Sequence, residues 1–250
     1  VLSLRSHSGE IGAFATQKEF FLCPYAIPLQ ANADCNQVVG MSDCIFERNE
    51  TVLLLHGFGG HWLLMTPLAR RLRQVGYGVV NWGYRSLFQD IVRHAEQLRS
   101  QLESLDMQSD GRPWHIVAHS MGALVTRQAL SHYRPTNLRR IVLLCPPNRG
   151  SHVASLYSRP LGWLSAPLVQ LSDKPGSFSS QLPTNLADQY EVGIIAAQTD
   201  FVVRRESIQL PSVSEIAIVP GYHSSMLFGR LTANLTINFL TTGQFESDRR

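Results

Sequence analysis

From Thr51 onward the chain alternates between short apolar runs and longer amphipathic stretches. The runs are Val52–Leu55, Tyr77–Asn81, Trp114–Ala118, Leu138–Leu144, Val192–Ala197 and Val213–Val219. Most are continuous rather than alternating, as in parallel strands covered on both faces. Between them Ile91, Ala95, Leu98, Leu102 and Leu105 recur at steps of three and four, which lines one face of a helix. Met65, Leu68, Leu72 and Val75 do the same, with Gly76 placed as a stop. Leu227, Leu231, Leu235 and Phe239 predict a closing helix. Strand–helix repetition at this spacing predicts an α/β fold, a mostly parallel, doubly wound sheet with helices on both sides.

The same pattern divides the chain. Residues 1–50 show neither period and are expected to form a peripheral extension. The α/β domain is expected over 51–242, followed by a tail at 243–250. The interval between the run starting at 138 and the run starting at 192 is too long for a plain strand–helix–strand unit. The excess, about 146–188, reads as a cap- or lid-like insertion.

Composition adds exclusions. With 250 residues, 44% hydrophobic and 16% charged, the chain has the make-up of a folded protein. The formal charge of +3 comes from scattered Arg, without the basic blocks of a nucleic-acid groove. No apolar stretch is long enough to span a bilayer, and no secretory signal is recognisable, so the expected location is the cytoplasm. The four cysteines lack the spacing of a disulfide framework or zinc site, and no H-E-x-x-H pattern occurs, so no metal is expected.

Chemistry in open α/β sheets gathers beyond the carboxyl ends of the strands. After the third run comes Ala118-His119-Ser120-Met121-Gly122, a small-x-Ser-x-Gly pattern between a strand and a helix. Such a turn forces the serine into an unfavourable backbone conformation, lifts its hydroxyl above the sheet and aims a helix N-terminus at the site. The bland alternative is a serine that merely caps the helix. After the first run comes His56-Gly57-Phe58-Gly59-Gly60. This glycine-rich loop lets the backbone N–H of Phe58 join that of Met121 as a two-donor oxyanion hole. Neither phosphate-loop pattern is present.

These motifs, followed by a late Asp and a final His, resemble the α/β-hydrolase superfamily, its small serine lipases and esterases in particular. The similarity covers about residues 50–240 and includes Pro146-Pro-Asn-Arg-Gly-Ser151, a segment like that after the corresponding strand in bacterial lipase-like members. It implies ester hydrolysis through an acyl-enzyme, without a cofactor. Chain order Ser, acid, His then selects Asp200, just after the fifth run, and His223, just after the sixth. Glu206 is the fallback acid; Asp173 and Asp188 are poorer candidates because they precede the strand.

The remaining histidines read as structural, His56 and the elbow neighbour His119 included, while His61 is a candidate for the pocket entrance. Leu161, Trp163, Leu164 and Leu168 in the insertion are candidates for a lid or for ordinary core. The expected partner is a small-molecule acyl ester or lipid met transiently at an interface, with no nucleic acid; oligomeric state is unassigned. An acyltransferase or thioesterase using the same triad is the alternative activity, and a non-catalytic binding module the alternative class.

Overall fold

The computed structural model describes residues 48–163, 165–213 and 215–245. Most of the expected N-terminal extension, Leu164 and residues 246–250 lie outside the described residues, as does the side chain of Leu161. Six strands form one sheet: β1 (Thr51–Leu55), β2 (Gly78–Trp82), β3 (Trp114–His119), β4 (Leu138–Leu144), β5 (Glu191–Ala197) and β6 (Glu215–Val219). Their order is β2-β1-β3-β4-β5-β6, and every neighbouring pair is parallel. The chain thus leaves β1 toward one edge, returns past it to β3, and winds to the other edge. That reversal places the carboxyl ends of β1 and β3 side by side at the switch point of the sheet.

The apolar runs are continuous because alternate residues serve two cores. Leu53, Leu55, Ile116, Ala118, Ile141 and Leu143 face one cluster, which holds α2 (Ile91–Gln108) and α3 (Met121–His132). Val52, Leu54, Val117, Val142 and Leu144 face the other, with α1 (Thr66–Gln74) and α7 (Arg230–Thr242). Helix α2 buries the expected stripe from Ile91 to Leu105, and the Asp90 side chain caps it by accepting from Arg93 N at 2.7 Å. Among the described residues no helix is long and apolar enough to cross a membrane.

Between β4 and β5 lie α4 (His152–Leu161), α5 (Ala166–Gln170) and α6 (Phe178–Gln181). They are tied back to the sheet end by a parallel bridge between Ser151 and Ser172. The closing helix departs from the sequence expectation. It starts at Arg230, so Leu227 lies in the preceding 3-10 turn and Leu231 is 48% exposed. Its buried face is Thr232, Ala233, Thr236, Phe239 and Leu240. Threonine is buried there because its hydroxyl is satisfied within the helix, Thr236 Oγ1 donating to Thr232 O at 2.8 Å.

Candidate active site

Ser120 stands between β3 and α3 with φ 52° and ψ −122°, a left-handed setting rare for a residue with a Cβ. Its backbone is fixed by Ser120 N donating to Leu144 O at 2.9 Å and by Ala123 N donating to Ser120 O at 2.9 Å. The tight turn needs Gly122: a Cβ there would lie 2.8 Å from His56 O, on the loop after β1. The Ser120 hydroxyl makes no capping bond to α3 and instead meets His223 Nε2 at 2.9 Å. His223 sits in the loop between β6 and α7, and its Nδ1 lies 2.7 Å from Asp200 Oδ2. Asp200 follows β5, where its second carboxylate oxygen accepts from Val202 N at 2.8 Å and Val203 N at 2.9 Å. Three strand ends therefore bring hydroxyl, imidazole and carboxylate into one line.

Electrostatics follow from this geometry. Burial pushes the Asp200 carboxyl up, but the hydrogen bond and charge of His223 and the two backbone amides outweigh it, so the group lies below its ordinary value. Burial pushes His119 down to about 3, helped by the neighbouring His223. His56 is lowered as well, by burial first. It is stacked at 4.2 Å on Tyr84, whose hydroxyl donates to His56 O at 2.5 Å, so it belongs to the support of the loop after β1.

Phe58 and Met121 adjoin Gly57 and Ser120, and these two residues approach closely: a Cβ on Gly57 would lie 2.8 Å from Ser120 Cβ. Phe58 also lines the cavity of about 490 Å³ that opens on Ser120 and His223. Val153, Tyr157, Leu168, Leu171 and Val203 supply much of its wall. No Asp, Glu, Lys or Arg lines it among the described residues. Of the insertion candidates Leu168 reaches the cavity, whereas Trp163 is 80% exposed and, like the exposed His61, is absent from its wall. His61 instead caps the short helical turn Trp62–Met65. Glu206 is exposed in a 3-10 turn, Asp188 is exposed, and Asp173 accepts from Ser155 within the insertion.

Pattern reading did not find the wall residues Val153 and Tyr157, which carry no signal apart from their nearness to the segment after β4, or Val203, three residues past Asp200. Cys145, one of the four cysteines, lies beside the site. This thiol, buried at the end of β4 with φ 46°, donates to Met226 Sδ at 3.0 Å. Ligand atoms of Cys145, Asp200 and His223 lie within 4.8 Å of one another, the one such cluster among the described residues. Each of them already has a hydrogen-bond partner in the protein.

The all-parallel sheet agrees with the model of the alpha/beta hydrolase family, which matches residues 52–228. The chain belongs to the α/β-hydrolase family. Solved α/β-hydrolase structures resemble it at the level of fold. The mature form of lipase BlEst2 from Bacillus licheniformis superposes with a TM-score of 0.62 at 17% identity, covering 78% of this chain and 91% of that one. Lipase B from Aspergillus fumigatus gives 0.65 at 17% identity, covering 85% of this chain and 58% of that one. The lin2722 gene product of Listeria innocua gives 0.56 at 15% identity, covering 79% and 95%. No curated protein sequence matches the chain significantly.

Proposed function

We propose that this α/β-hydrolase cleaves carboxylic esters with Ser120 as nucleophile, His223 as general base and acid, and Asp200 as the orienting carboxylate. The observation that carries the reading is the unbroken contact line: Ser120 Oγ to His223 Nε2 at 2.9 Å and His223 Nδ1 to Asp200 Oδ2 at 2.7 Å. With Nδ1–H donated to Asp200, His223 Nε2 is the lone-pair nitrogen and accepts the serine proton. Ser120 Oγ attacks the acyl carbonyl as that proton leaves, and the carboxylate supports the imidazolium that forms. The amides of Phe58 and Met121 hold the negative oxygen of the tetrahedral intermediate. His223 returns its proton to the departing alkoxide, which leaves as the alcohol. Water then repeats the sequence on the acyl-enzyme and regenerates the serine.

The cavity supports an uncharged acyl group. A wall of aliphatic and aromatic side chains without Asp, Glu, Lys or Arg offers no compensation to a charged chain, whose desolvation would be costly. Helices α4 and α5 supply Val153, Tyr157 and Leu168 to that wall and are read as the cap over the acyl site.

The test is a series of p-nitrophenyl esters of increasing acyl length, run beside Ser120→Ala. Turnover of apolar acyl esters is expected, with a loss of at least ~10³-fold in kcat for the variant. Undiminished hydrolysis by Ser120→Ala would overturn the assignment of the nucleophile.

A further inference from the structure

We propose that His119 is a positioning residue for the general base: its ring donates from Nε2 to the backbone carbonyl of His223, 3.0 Å away, and anchors the loop that carries the imidazole. This assignment rests on the reading of Ser120, His223 and Asp200 as the reacting groups.

His119 is the last residue of β3 and directly precedes Ser120, and its side chain reaches the loop after β6. A carbonyl oxygen only accepts, so Nε2 must carry the hydrogen and Nδ1 the lone pair. That lone pair is buried and has no hydrogen-bond partner among the described residues. The neutral ring is held in place by packing: a Cβ on Gly57 would come within 3.0 Å of Nδ1, and the His223 ring centroid lies 5.0 Å away. With its pKa pushed down to about 3 by burial and by His223, His119 keeps the same donor form at neutral pH and does not compete for the serine proton.

Other bonds hold the loop at neighbouring points. Thr199 N donates to Gly221 O at 3.2 Å, Tyr222 N to Ser225 Oγ at 2.8 Å, and Met226 N to Tyr222 O at 3.2 Å. None of these engages the carbonyl of the residue that bears the base. Because the imidazole must meet Ser120 and Asp200 together, a small rotation of this peptide breaks both contacts. Through His119 the base is referenced to the same strand end as the nucleophile.

His119→Met keeps bulk and removes the donor, while His119→Gln places an amide N–H at comparable reach. His119→Met is expected to lose about 10- to 100-fold in kcat with KM changed less than about threefold, as a misplaced reacting group does. His119→Gln is expected to recover to within about fivefold of the parent, and the rate of fluorophosphonate labelling of Ser120 to follow the same order. Imidazole nitrogen NMR of the parent protein supplies a readout independent of any variant, with His119 expected in the Nε2–H tautomer from pH 6 to 8. The inference is overturned by an Nδ1–H tautomer, by a Met variant with parental kcat, or by a loss that Gln does not recover. Ser120→Ala is assayed alongside. If it is inactive while His119→Met is unimpaired, this inference alone fails; if it stays active, the reading of the reacting groups fails first.

Discussion

Ser120 occupies a conformation that costs an ordinary residue about 1–3 kcal/mol, and the surrounding turn holds it there. A strained serine turn is legible from five residues read in a strand–helix context; that its hydroxyl meets an imidazole rather than capping its own helix comes from the structure. Asp200 and His223 were legible for a related reason: each directly follows a strand-forming run. Choosing between Asp200 and Glu206 was harder on sequence, since both follow β5. The structure gives Asp200 the bond to His223 and leaves Glu206 exposed. Asp200→Asn is accordingly expected to cut kcat by about 10⁴-fold through loss of the correct imidazole tautomer, and Glu206→Gln to change it less than about twofold. Steady-state kinetics on one ester checks both. His119 reads from sequence as structural, but its partner is the His223 carbonyl, 104 positions away, and one sequence carries no trace of such a contact.

Helix α3 shows what local pattern conveys and what it cannot. Its position after β3 and its small residues were plain in the sequence. The burial of Arg127 on it was not, because a lone Arg in a helical pattern reads as a solvated charge. Arg127 is instead 3% exposed and donates to Asn148 O at 3.1 Å, Leu182 O at 3.1 Å and Pro183 O at 3.0 Å. Burial pushes its pKa down to about 10, still far above neutrality. One guanidinium thus clamps the start and the far side of the segment between β4 and β5 onto α3. Arg127→Met strands those carbonyls and is expected to cost about 2–4 kcal/mol in urea unfolding. Gly122→Ala drives a methyl into His56 O and is expected to cost about 1–3 kcal/mol and to lower kcat, because the displaced loop carries Phe58. The exposure of Leu231 teaches the converse. A four-residue apolar stripe predicts α7 as a helix, but the start at Arg230 and the self-satisfied Thr236 set which face is buried.

The two-faced sheet was the most legible feature, since parallel strands lined on both sides must be apolar throughout. Less visible was how many titratable rings the fold encloses. His56, His94, His115 and His119 are all buried, and burial is the leading cause that lowers each below 6.5. The unfolded chain therefore binds more protons than the native one once pH falls below 6.5. Stability is full above that value and declines toward each native pKa, about 3 for His119, by up to about 1.4 kcal/mol per pH unit for each ring. Asp200, also lowered, adds its own loss only below its ordinary 3.8. Urea unfolding at pH 8 and pH 5 is expected to show a marked drop. His94→Leu should shrink that drop, since neither His94 nitrogen has a partner among the described residues. The sheet's edge has a further consequence. Among the described residues the only strand that pairs with β6 is β5, with Ile216 43% and Ile218 39% exposed, and β6 leads directly to His223. On the proposed mechanism, fraying of that one outer ribbon displaces the proposed proton acceptor while the interior strands stay zipped, so activity is lost before the fold melts. Turnover is expected to fail at a lower urea concentration than the far-ultraviolet dichroism, and β6 amides to exchange with deuterium sooner than those of β3.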